Sequence, residues 1–194
     1  MSKFVRIALL VALGAMMVAS AAFAVVPDPT FSSCGTCIVL SPYGANGDPG
    51  LLFTVVVNDQ FNNPINGSNV VVDFGTLPVT LCSSQEPGFT AVGQTVAGTT
   101  NLSGTVSFSF RGWGAGVGSV KVYADGVQIC TVGGTSTDDL NGDAAVDVSD
   151  LAIFTFDQIS FINDPDMNCD GLVDVSDLAI FTANQTGSPA PYCP

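Results

Sequence analysis

Residues 146–155 read Val-Asp-Val-Ser-Asp-Leu-Ala-Ile-Phe-Thr, and the same ten residues recur without a change at 173–182, 27 positions later. Ten identical residues in a row mark an internal duplication, and the register extends upstream. Asp139-x-Asn141-x-Asp143 in the first copy aligns with Asp166-x-Asn168-x-Asp170 in the second. Each copy therefore places short oxygen-bearing side chains on alternate residues, followed by two more aspartates before an apolar run.

That spacing suits a hard cation. Ca²⁺ takes 6–8 oxygen ligands, and a loop wrapped around it aims alternate side chains inward. In the first copy, loop positions 1, 3 and 5 are Asp139, Asn141 and Asp143. Position 7 offers the carbonyl of Ala145, position 9 is Asp147 acting through water, and position 12 is Asp150. The second copy supplies Asp166, Asn168, Asp170, the carbonyl of Leu172, Asp174 and Asp177. The expectation is two Ca²⁺ ions, one per loop. Each loop carries four carboxylates, and no Lys or Arg lies between residues 138 and 185. Like charges packed that closely repel, so folding of the segment is expected to be linked to calcium.

No amphipathic helix leads into either loop. Each unit is loop then helix, with helices expected to start at Ser149 and Ser176. Leu151, Ile153 and Phe154 are expected to pack against Leu178, Ile180 and Phe181. Asp at position 12, followed by Leu, and two copies in so short a span resemble a type I dockerin. The resemblance implies docking to a cohesin, which mounts the carrier on a scaffold or cell surface. In polysaccharide-degrading bacteria that carrier is commonly a glycoside hydrolase. This chain departs from the family at position 6, which is Gly171 in one loop and Ala144 in the other. It departs again at the recognition pairs, which are Val148-Ser149 and Val175-Ser176, and in lacking basic residues along the helices.

Working outward, residues 133–137 are rich in Gly, Ser and Thr and read as a linker, leaving 138–185 as the repeat module and 186–194 as a tail. Residues 25–132 read as strands. Ile38 to Leu40, Leu51 to Val57, Val70 to Phe74, Thr105 to Phe110 and Val120 to Tyr123 are apolar or alternating. Asn66-Gly67 and Asp125-Gly126 are turn signals. Six or seven short strands suggest an antiparallel sandwich. Val55-x-Val57-x-Asp59, Asn63-Pro64-Ile65-x-Gly67, Val70-x-Val72-x-Phe74 and Gly104-x-Val106-x-Phe108 resemble bacterial immunoglobulin-like domains of the invasin/intimin type, which implies a spacer or adhesive role. The expected fold is an all-β immunoglobulin-like sandwich followed by a small α-helical dockerin module with two calcium loops.

Residues 1–24 read as an export signal: Lys3 and Arg6, an apolar stretch, then Ala22-Phe23-Ala24. Cleavage there leaves two basic residues, Arg111 and Lys121, against all 17 acidic ones. Such a surface repels phosphate backbones and anionic lipid, so neither nucleic acid nor, once the signal is removed, membrane is an expected partner. All six cysteines follow the signal, and an even count in an oxidising compartment favours disulfides. Cys169–Cys193 is the favoured pair, with Cys34, Cys37, Cys82 and Cys130 unassigned. With no His and one Glu (Glu86), no nucleophile–base pair is evident and no catalysis is expected. Trp113 reads as a turn or core aromatic before a sugar platform. The sequence thus points to a secreted, bacterial, non-catalytic calcium-binding interaction protein. Its partner is a cohesin-like or cell-surface protein, or its own or a neighbouring Ig-like domain. The alternative is a structural or adhesive surface protein whose calcium only stabilises the fold.

Overall fold

The computed structural model describes residues 25–42, 51–143, 145–160, 165–168 and 170–185. The expected export signal, Ala144, the expected Cys169–Cys193 pair and the C-terminal tail lie outside the described residues. Among the described residues, eleven strands form two sheets. The smaller has the order β1 (Ser33–Cys34), β3 (Phe53–Val56), β8 (Thr105–Phe108). The larger runs β5 (Thr80–Leu81), β9 (Phe110–Trp113), β2 (Val39–Ser41), β11 (Val127–Thr137), β10 (Gly116–Ala124), β4 (Asn69–Asp73), β7 (Thr95–Thr99), β6 (Thr90–Val92).

Period-two alternation builds the space between the sheets. Phe53 and Val55 of β3, Val70 and Val72 of β4, and Val120 and Val122 of β10 all point inward and are buried. The alternating run at 105–110 is expected as one strand, but it breaks at Ser109 and changes sheet, β8 to the smaller and β9 to the larger. Its inward face survives the break. Val106, Phe108 and Phe110 share one core, and the rings of Phe108 and Phe110 stack with centroids 5.4 Å apart. Asp125-Gly126 forms the β10–β11 hairpin with φ of 47° and 84°, the left-handed pair that a two-residue turn demands. A disulfide, Cys34–Cys130, ties β1 to β11 across the two sheets. It closes a loop of 96 residues, where chain entropy alone is worth about 4–5 kcal/mol. Cys37 and Cys82 are also disulfide-bonded.

The expected fold class requires correction. The chain is mostly β, and the large sheet is mixed: β2 pairs in parallel with both β11 and β9. Among the described residues two short helices follow, α1 (Val148–Ser160) and α2 (Val175–Asn184), and they do not form a distinct helical module. The reason lies in β2, which is buried on both faces. Ile38 and Leu40 enter the core between the sheets, whereas Val39 points the other way. Val39 and Leu51 join Val146, Phe154, Met167 and Phe181 in a second core, with Phe154 and Phe181 ring centroids 5.7 Å apart. The helices thus cover the outer face of the sheet and share its side chains. The expected linker at 133–137 is the end of β11, where Ser136 and Thr137 pair with Val39 and Leu40.

Candidate metal centres

Loop one leaves the end of β11 directly. Asp139 is buried, and its Oδ1 accepts the N–H groups of Gly142 (2.8 Å) and Asp143 (3.2 Å). Asp143 accepts from Ala145 N–H and from the Asn141 side-chain amide. The loop closes on Asp150, fully buried at the first turn of α1. One of its oxygens takes the N–H groups of Leu140 (2.8 Å) and Asn141 (3.0 Å), the other that of Asp147 (2.9 Å).

Loop two repeats this closure. Asp177, also fully buried, accepts from Met167 (2.8 Å) and Asn168 (3.1 Å) on one oxygen and from Asp174 (3.0 Å) on the other. Asp166 holds Asp170 N–H and Gly171 N–H through separate oxygens, and Gly171 sits at φ 86°, where a side chain would be strained. Asp170 accepts from Leu172 N–H and the Asn168 amide.

The helix caps differ from expectation by two residues. Asp174, not Ser176, caps α2, in a box with Asp177 at the third helical position. Asp147 makes the matching bond to Ser149 in loop one. The Ser149 and Ser176 hydroxyls and N–H groups hold the Asp147 and Asp174 carboxyls below the ordinary range. Burial raises Asp166.

Every carboxylate at the predicted ligand positions therefore engages the backbone of its own loop. Among the described residues, no three Asp, Glu, Cys or His side chains are gathered into a cluster that could hold an ion. Two observations bear on whether the loops suit a cation. The donor set is wholly hard oxygen, which fits Ca²⁺ and not a thiol- or imidazole-seeking metal. Beside loop one, the Asp138 carboxyl is fully buried and neither oxygen completes a hydrogen bond of ordinary geometry, although the Ser41 hydroxyl lies near enough to lower its pKa. Burial above all, with Asp139 and Asp150 adding like charge, pushes it up to about 7. A buried carboxylate beside two others calls for a proton or a cation. By chemistry the loops fit calcium: Asp139, Asn141, Asp143, the Ala145 carbonyl, Asp147 and Asp150 would hold one ion, and Asp166, Asn168, Asp170, the Leu172 carbonyl, Asp174 and Asp177 the other.

Asp138 went unnoticed in the sequence because nothing local distinguishes it from its neighbour Asp139; only the burial of β11 does. Trp113, half-buried on β9, lines a cleft of about 470 Å³ with Asp139, Asn141, Gly142 and Asp157. The backbone carbonyl of Glu86 accepts Phe89 N–H. No protein-family model, curated protein or solved structure matches the chain.

Proposed function

We propose that the protein is exported and non-catalytic, that each loop binds one Ca²⁺, and that calcium fastens the helical repeat to the outer face of the large sheet. One observation carries the reading: the same oxygen spacing occurs twice, and each time a buried aspartate at position 12 draws together positions 2, 3 and 9 of its loop. The resemblance to type I dockerin loops supports it residue by residue. Two ions bring four positive charges to eight carboxylates that no Lys or Arg otherwise balances. The shared core of Val39, Leu51, Phe154 and Phe181 favours a stabilising role within a structural or adhesive surface protein. Following the far-ultraviolet helix signal of the full chain during calcium addition and chelation tests this. Helix that ignores both treatments would remove the reading.

A second reading has its own support. Val148 and Val175, equivalent in the two copies, are 73% and 74% exposed beside Ser149 and Ser176. These are the positions that the dockerin resemblance assigns to partner recognition, so the repeat would dock to a cohesin-like partner while resting on the sheet. A pull-down with cohesins, with and without chelator, separates the two readings. Capture that needs calcium and is lost in Val148→Asp/Val175→Asp supports docking.

A further inference from the structure

We propose that Asn141-Gly142 is a self-modification site, at which loop one converts its own asparagine into an aspartyl or isoaspartyl residue, and that calcium holds this conversion back. The second clause rests on the calcium reading of loop one; the first does not.

The chemistry is attack of the Gly142 backbone nitrogen on Cγ of Asn141. The new N–Cγ bond closes a succinimide, the Cγ–Nδ2 bond breaks, and Nδ2 departs as ammonia with the proton that the attacking nitrogen loses. Water then opens the ring. Addition at Cγ gives an aspartyl residue, and addition at the backbone carbonyl gives an isoaspartyl residue. Water is the only co-reactant, and nothing is oxidised or reduced.

Each participant is already placed. Asn141 and Gly142 are both exposed. Gly142 N–H points at Asp139 Oδ1, 2.8 Å away, so a carboxylate is lodged to take the proton as the nitrogen attacks. Asp143 N–H donates to Asn141 Oδ1 at 2.8 Å, the oxygen on which charge develops. That bond also folds the side chain back toward the following peptide. The departing Nδ2 is held by Asp143 Oδ2 at 3.0 Å. Gly142 has no side chain to shield its nitrogen.

Three other asparagines isolate these features. Asn168 makes the same two bonds to Asp170, but the next residue is Cys169. Asn101 accepts from Ser103 N–H at 2.9 Å, but Leu102 follows. Asn66 is exposed and precedes Gly67, whose N–H instead donates to the neutral carbonyl of Thr100 at 3.0 Å. Among the described residues, only Asn141 combines a following glycine, a folded side chain and a carboxylate on the attacking N–H. Asp139 and Asn141 are also loop positions 1 and 3, so an ion bound there takes both the proton acceptor and the reacting carbonyl out of this arrangement.

The test is peptide mapping by mass spectrometry of the full chain, aged in chelator and in excess calcium, with a urea-denatured sample as reference. In urea the three Asn-Gly pairs, Asn46-Gly47, Asn66-Gly67 and Asn141-Gly142, react alike. In folded, calcium-free protein Asn141 should outpace Asn66 by about a hundredfold, the low end of what a positioned general base supplies, and Asn101, which lacks the following glycine as well, by more. Asp139→Asn should return Asn141 to the rate of Asn66. Equal rates at Asn141 and Asn66 in folded wild type would overturn the site. If Asn141 is fast but indifferent to calcium, the site stands, and the calcium clause falls together with the metal assignment of loop one.

Discussion

The two repeats share a run of ten residues, and their loops share one closing device, yet the loops are seated differently. Loop one hangs from the end of β11, and Gly142 faces the indole of Trp113. Loop two is held by its own second residue: Met167 is fully buried in the core beneath the helices, and its carbonyl oxygen lies 3.6 Å from the sulfur of Cys37. Their left-handed glycines also differ, at position 4 in loop one (Gly142, φ 75°) and position 6 in loop two (Gly171, φ 86°). Position 6 of loop one is Ala144, which lies outside the described residues; the left-handed conformation of Gly171 would cost a residue with a Cβ about 1–2 kcal/mol. Identical sequence thus sets the ligand frame, while the surroundings set how firmly each frame is held before any ion arrives.

The largest effects should come from the closing aspartates. Asp150→Ala and Asp177→Ala each strand three backbone N–H groups, at about 1–3 kcal/mol per orphaned donor. In chelator the two should melt alike. In calcium Asp177→Ala should cost more, because loop two keeps Gly171 at position 6 and is the loop expected to bind its ion more tightly. Equal losses in calcium would erase the asymmetry between the loops.

Phe181→Ala should cost about 3–5 kcal/mol and lower one shared transition of strands and helices, since its core includes Val39 and Leu51 of the β-rich part. Helices that melt separately, leaving the Trp113 fluorescence of the sheet intact, would restore an independent module.

Asp138 gives a pH signature. Its folded pKa, about 7, lies above the ordinary 3.8, so between those values the folded state holds a proton that the unfolded chain releases. In chelator, stability should rise as pH falls through about 7 and level off near 4, by no more than about 4 kcal/mol. Asp138→Asn should flatten that slope, and a slope that persists in the variant would place the titration elsewhere.

Smallest of all, Val148→Asp and Val175→Asp should shift stability by less than about 0.5 kcal/mol, as exposed substitutions do, whatever they do to a partner.

Sequence pattern found the strands that alternate and the loops that repeat. Val70, Val72, Val106 and Phe108 are inward where the period put them. It missed β7, Thr-Val-Ala-Gly-Thr, because one buried valine between small residues carries little signal; β7 exists through its pairing with β4 and β6. The fusion of helices to sheet was illegible for a similar reason. Ile38-Val39-Leu40 reads as a short apolar run whichever faces it covers, and only the parallel pairing with β9 and β11 shows that it serves two cores. The ligand spacing casts Asp150 and Asp177 as calcium-binding carboxylates; that they close their loops on backbone N–H groups was not legible, because only the folded chain brings positions 2, 3 and 9 to them.

Calorimetric titration of calcium into the chelator-stripped full chain tests the central claim most directly. Two sites of unequal affinity should appear. At a hundredfold excess over Kd the melting transition should gain about 2.7 kcal/mol per site that binds only the folded form. A chain that releases no binding heat, and whose helix content and melting are the same with and without calcium, would contradict the account.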